Sequence, residues 1–176
     1  MKKEEEKTKK IVMGAMMMCL IIVMTIVVKI PIPGTQGYVH LGDAMVFMTV
    51  MILGKKWGAV CSGVGSAMAD IFLGGAMWAP WTLVIKGVMA YIVGAIIAGE
   101  NVSKTREIAA MTAGGIFMTA GYYAAEGIMY GNWAVALLGI PWNIGQFVVG
   151  GVLATVLAVA LCKTKAKDVF EYTLKG

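Results

Sequence analysis

Four ionisable residues, Asp43, Asp70, Lys86 and Glu126, sit at or inside long apolar segments of this 176-residue chain, with Lys29 and His40 close by. A charge held at mid-bilayer costs roughly 2.5–3.5 kcal/mol even on the lenient insertion scale, so such residues pair with one another, meet water or hold a ligand. Their spacing speaks against catalysis. Paired carboxylates, a nucleophile beside a base, and a cluster of metal ligands are all missing from neighbouring helical turns, so neither an enzyme nor a metal or cofactor is expected. Binding chemistry remains: carboxylates and amides for hydrogen bonds, and aromatic rings that stack on a flat ligand.

The elements that must carry these residues are membrane helices. Segments 11–30, 81–98, 107–127 and 141–161 each approach the ~20 residues needed to cross ~30 Å of hydrocarbon. Segments 43–53 and 57–73 are shorter, and the first cannot span unaided. The expected fold is therefore an all-α integral membrane protein, a compact bundle of six helices. With 59% hydrophobic and 14% charged residues the chain is solvated mostly by lipid.

All but two of the 15 Lys and Arg residues fall in four clusters: Lys2, Lys3, Lys7, Lys9 and Lys10; Lys55 and Lys56; Lys104 and Arg106; Lys163, Lys165, Lys167 and Lys175. Cationic loops resist translocation and mark the cytoplasmic side. Connections 31–42, 74–81 and 127–142 contain no Lys or Arg and are expected outside, with both termini in the cytoplasm. The net charge of +5 is thus a topology signal rather than a nucleic-acid footprint. The division expected is a charged tail at 1–10, a membrane domain at 11–163 and a second tail at 164–176. The first apolar stretch is too long for a signal h-region and lacks a small-x-small cleavage site, so it is expected to stay as helix 1. Cys19, Cys61 and Cys162 are odd in number and lie in or beside apolar segments, which makes a disulfide framework improbable. The P-loop pattern G-x-x-x-x-G-K-[ST] is absent, so any work on ATP falls to a partner.

The site is expected in the outer half of the bundle. Between helices 1 and 2, Pro31 and Pro33 hold the chain extended while Gly34, Gly37 and Gly42 let it bend, the chemistry of a lid. The plainer alternative is a connector capped by Asp43. Asp70 and Lys86 lie at matching depths in adjacent helices and are expected to form a structural ion pair. Glu126 shares a stripe with Gly114, Met118 and Tyr122, and Asn143 and Gln146 open helix 6 at the same level. Trp78, Trp81, Trp133 and Trp142 cluster on that side, against Trp57 alone on the other. Interfacial anchoring explains part of this, and a ring-lined pocket the rest. Small residues at steps of four, Gly54, Gly58, Ser62 and Ser66, then Ala90, Gly94 and Ala98, then Gly150, Ala154 and Ala158, provide for close helix packing.

The runs Gly37-Tyr38-Val39-His40-Leu41-Gly42-Asp43, Leu53-Gly54-x-x-x-Gly58, Gly65-Ser66-Ala67-x-Ala69-Asp70 and Ala79-Pro80-x-Thr82-Leu83-x-Ile85-Lys86-Gly87 resemble the substrate-binding S components of energy-coupling factor (ECF) transporters. The hydroxymethylpyrimidine/pyridoxine-type branch is nearest, the riboflavin-type close behind. The resemblance implies capture of a vitamin outside a bacterial cytoplasmic membrane and docking on a transmembrane T component driven by two ATPase subunits. It implies substrate contacts at Gln36, Tyr38, His40, Lys86, Glu126, Trp133, Asn143 and Gln146. Docking would use a small-residue face on helix 1, here Gly14, Ala15 and Cys19, with Met13, Met16, Met17 and Met18 around it. The ligand would be a small pyridine or pyrimidine in preference to riboflavin. The rival readings are a solitary proton-coupled carrier with Asp70, Lys86 and Glu126 as its relay, an intramembrane enzyme, and a purely structural subunit.

Overall fold

The computed structural model describes residues 2–35, 37–99, 102–164 and 170. In chain order it has α1 (Lys2–Val27), β1 (Lys29–Pro31), β2 (Tyr38–His40), α2 (Gly42–Phe72), α3 (Ala79–Ile97), α4 (Lys104–Tyr130), the single-turn α5 (Trp133–Ala136) and α6 (Gly139–Cys162). Stretches Glu4–Val27, Gly42–Phe72, Ala79–Ile97 and Trp133–Cys162 are long and apolar enough to cross a membrane. α4 is as long, and its polar residues, Lys104, Arg106 and Glu107 at one end and Glu126 near the other, lower its hydropathy. Residues 2–10 of the expected tail are helical and continuous with α1, where Glu4 and Glu5 in the first turn complement the helix dipole. Of the expected tail at 164–176, only Thr164 and Phe170 are described.

Local chemistry sets the helix ends. Pro80 opens α3, where a missing N–H is harmless. The Ser103 hydroxyl caps α4 by accepting from the Arg106 N–H at 3.3 Å. Gly131 closes α4 in the left-handed conformation.

The two short helices expected at 43–53 and 57–73 are merged in α2, which is broken internally at Gly54. With φ 72° and ψ 177°, Gly54 occupies a region essentially closed to other residues. The chain turns back there: a Cβ on Gly58 would lie 2.9 Å from the Val50 Cα, whereas residues eight apart in a straight helix are ~12 Å apart. The second arm of α2 then packs on α3, with Gly63 meeting the Leu83 carbonyl and Gly87. α6 presses Gly150 against Asp43 at the start of α2. Without a hydrophobic drive between helices in lipid, such backbone proximity is what holds them together. Phe47, Met51, Met89, Val93 and Met118 fill the centre.

The segment expected as a lid forms an antiparallel hairpin, with Lys29 opposite His40, Ile30 opposite Val39 and Pro31 opposite Tyr38. Its turn is closed by the Ile32 N–H donating to the Gly37 carbonyl at 3.0 Å. β1 is exposed, while Val39 and His40 of β2 are buried against the bundle.

Gly54→Ala places a Cβ in a glycine-only conformation and is expected to destabilise the protein by about 1–3 kcal/mol. A thermal melt of the detergent-purified variant, compared with Ala59→Gly as an ordinary helix control, checks this.

Candidate functional site

A small cavity lies between the hairpin and the helix ends beneath it, lined by Gly37, Tyr38 and His40 from the hairpin, Asp70 and Trp78 from α2 and the turn after it, Thr82 from α3, Tyr122 and Glu126 from α4, and Asn143 and Gln146 from α6. Its free volume is about 30 Å³, room for a few waters at ~10–15 Å³ each. Six elements therefore converge on one polar space.

The hairpin is fastened over this space by side chains. Tyr38 Oη donates to Asp70 Oδ1. The His40 N–H donates to Gln146 Oε1 at 3.0 Å. His40 Nδ1 accepts the Gly42 N–H at 3.0 Å, so the Thr25 hydroxyl, 3.4 Å away, must also be a donor to it. Burial, followed by the nearby Lys86 charge, lowers the His40 pKa to about 4, and the ring stays neutral at physiological pH. Burial, then the Asp70 charge, raises the Tyr38 hydroxyl far above the usual phenol range.

Directly below, Lys86 forms an ion pair with Asp43, both fully buried. The Lys86 ammonium also meets Met118 Sδ at 2.9 Å and lies 5.5 Å from the centre of the Tyr122 ring. Gln146 Nε2 donates to the second Asp43 oxygen at 2.9 Å. Gln146 thus ties the hairpin to the ion pair with both ends of its amide.

This corrects the expected Asp70–Lys86 pair. Matching depths placed Asp70 and Lys86 together, but the reversal at Gly54 brings the first turn of α2 back over α3, and Asp43 reaches Lys86 instead. Asp70 faces the hairpin. The alternative of Asp43 as a helix cap is also set aside, because Leu41 holds that position without a side-chain cap bond.

Of the expected substrate contacts, Tyr38, His40, Glu126, Asn143 and Gln146 line the cavity. Lys86 does not; it is sealed beneath with its partner. Trp133 does not either: it is 51% exposed on α5, where it packs over Gly127 and against Tyr123, with ring centres 5.5 Å apart. Gln36 lies outside the described residues. The aromatic wall is instead Trp78, with its ring 6.4 Å from Tyr122. Both were legible as outer aromatics, Tyr122 on the Glu126 stripe, but sequence gives no way to rank them above Trp133. Thr82 carried no signal of its own.

Glu126 sits between two glycines. A Cβ at Gly37 would lie 3.1 Å from Oε1, and one at Gly139 would lie 2.8 Å from Oε2. Asp70 Oδ2 and Glu126 Oε2 are buried without a hydrogen-bond partner. On the expected docking helix, Ala15 and Cys19 are exposed, whereas Gly14 is buried against Cys61 Sγ. Gly14 packs between α1 and α2, where an added Cβ would come within 3.0 Å of Cys61 Sγ.

A sequence model of the ECF-type riboflavin transporter S component family matches residues 5–163. The chain belongs to that family of membrane transport components and is a multi-pass membrane protein, not an enzyme. Among its relatives, "Uncharacterized protein in gap 3'region" from Pyrococcus woesei is 38% identical over 138 residues, covering 77% of this chain and 92% of the relative. The "Thiamine precursor transporter HmpT" of Lactococcus lactis subsp. cremoris is 31% identical over 135 residues, 76% of each chain.

Removing one member of a buried ion pair leaves the other uncompensated. Lys86→Met is expected to destabilise the protein by about 3 kcal/mol or more. Lys86→Met combined with Asp43→Leu is expected to recover much of that loss, in a thermal melt of both variants.

Proposed function

We propose that this chain is the substrate-capturing S component of an ATP-driven vitamin importer, with six membrane crossings and both termini in the cytoplasm. The observation that carries the reading is the polar cavity under the Lys29–His40 hairpin, where acceptor oxygens of Asp70 and Glu126 are buried without partners. Groups of that kind in an apolar bundle are stabilised when a ligand supplies the missing hydrogen bonds. The charge clusters support the orientation, and the tight reversal at Gly54 supports counting α2 as two crossings.

The ligand is a vitamin or vitamin precursor entering from outside, with one-ring compounds such as hydroxymethylpyrimidine or pyridoxine favoured over riboflavin. A cavity of about 30 Å³ must open to admit any of them, and a single ring demands less opening than three fused rings. The name of the Lactococcus relative points the same way. Tyr38, Trp78 and Tyr122 offer faces for stacking, while His40, Asp70, Glu126 and Asn143 supply polar contacts. Transport is completed by a T component and two ATPase subunits in the cytoplasmic membrane. The exposed stripe bearing Ala15 and Cys19, with Met16 between them, is the docking face. A proton relay through Asp70, Lys86 and Glu126 is disfavoured, because Lys86 is paired with Asp43 and shielded from the cavity.

Mass spectrometry of what co-purifies with the detergent-solubilised protein tests the reading, and a bound one-ring vitamin is the expected result. Among variants, Glu126→Gln should weaken binding at least ~10-fold, while Ala15→Trp should spare binding and abolish uptake by cells that contain the partner subunits. Equal loss of binding in both, or uptake in cells lacking any T component, contradicts the division of roles.

A further inference from the structure

Away from the cavity, α4 and α6 leave an apolar groove on the outside of the bundle. Toward the Lys104 end of α4 its floor is Met111, Phe147 and Gly151, all buried, and its walls are Ile108 on one side and Val152 and Val156 on the other, all exposed. Its free volume is about 400 Å³. Gly151 leaves the floor without a side chain, and a Cβ there would lie 3.3 Å from Met111 Sδ. Thr155 continues the Phe147–Gly151 stripe but turns its hydroxyl to Glu107 Oε1, to which it donates at 3.0 Å. From Phe147 to Val156 the groove follows α6 for ~14 Å at ~1.5 Å per residue, about half of the ~30 Å hydrocarbon thickness. Beyond Phe147, whose ring covers Gly115, a second apolar hollow of about 430 Å³ continues to Tyr123 and Ile140.

Charge distinguishes the two halves. Lys104 lies one turn before Ile108 on the same face of α4, and Lys163, the C-cap of α6, lies two turns beyond Val156 on the same face. Both are exposed. Arg106 stands beside Lys104 but is engaged, its guanidinium donating to the Ile96 and Ala98 carbonyls at 2.6 and 2.8 Å. Against these three cations, the carboxylate that α4 and α6 carry at this end is Glu107, buried and facing Thr155. The far half opens toward connection 127–142, which contains no Lys or Arg.

We propose that the half of the groove nearer Lys104 seats an anionic phospholipid, with one acyl chain along Met111, Phe147 and Gly151 and the phosphate held by Lys104 and Lys163. Basic pockets between membrane helices at the headgroup level bind such lipids, and long lysine side chains reach that level while their stems stay in contact with apolar surface. A chain fits better than a partner helix, because Phe147 divides the groove into two lengths, the nearer of them that of a single leaflet. An acyl chain leaving bulk lipid gains no hydrophobic transfer energy, so selection comes from the lysines and residence from close packing. The inference is independent of vitamin capture and requires only that the chain lies in a membrane.

The test is native mass spectrometry of the purified full chain, delipidated and then mixed with equal amounts of phosphatidylglycerol and phosphatidylcholine bearing the same chains. Phosphatidylglycerol is expected to be retained about 10-fold or more over phosphatidylcholine. Lys104→Gln combined with Lys163→Gln is expected to bring that ratio close to one. Val152→Trp, which fills the groove from an exposed wall, is expected to lower retention of both lipids, whereas Val84→Trp, equally exposed on α3, leaves it unchanged. Equal retention of the two lipids by the wild type overturns the head-group recognition. An unchanged preference in the double lysine variant, or unchanged retention in Val152→Trp, puts the lipid elsewhere and overturns the site. If a variant does not fold, the wild-type ratio alone decides.

Discussion

The buried Asp43–Lys86 ion pair is the constraint around which the bundle is arranged. Two opposite charges in a low-dielectric interior attract strongly, but each loses its hydration, so the pair is tolerable only when the remaining hydrogen-bonding capacity is met. Here Gln146 satisfies the second Asp43 oxygen, and Met118 and the Tyr122 ring surround the ammonium. The consequence is geometric. Asp43 starts α2, Lys86 lies in α3, Met118 and Tyr122 in α4 and Gln146 in α6, so one charge pair fixes four helices at the same level. Gln146 then extends the order upward by accepting the His40 N–H. A rigid floor and a fastened roof leave a small polar space between them.

The roof is weaker than the floor. The hairpin has three pairs of residues in register, and a two-stranded ribbon of that length has little stability of its own. Its position depends on Tyr38 with Asp70, His40 with Gln146, and Thr25 and Gly42 with the His40 ring. These are a few hydrogen bonds, each contributing on the order of 1 kcal/mol. Such a segment opens far more readily than the helices beneath it. On the proposed capture function, the contrast suits a site that admits a ligand and then encloses it.

Much of this was legible in the sequence, and the failures have physical causes. Apolar length located α1, α3, α4 and α6, because crossing hydrocarbon sets a minimum that hydropathy reads directly. The bend between α1 and α2 followed from Pro31, Pro33 and Gly34, but the strands on either side of it did not, since three-residue strands, one of them ending in proline, carry no periodic signal. Depth counting found Lys86 and gave it the wrong partner; pairing depends on how the chain reverses at Gly54, and a break in helicity does not state the angle of the turn. Trp133 and Trp78 are equivalent in sequence, both aromatic and both in connections expected outside. Only the fold turns one toward the cavity and the other away. Gly14 resembled the small exposed residues beside it, and only packing against Cys61 separates them.

The most direct measurement of this account is hydrogen exchange at the backbone of the hairpin in the wild type and in Gln146→Met. If Gln146 carries order from the ion pair to the roof, amides in the Tyr38–His40 strand should exchange roughly 5–10-fold faster in the variant, while those in the centre of α3 change little. Unchanged exchange in that strand would contradict the account, because the hairpin would then be held independently of the charges below it.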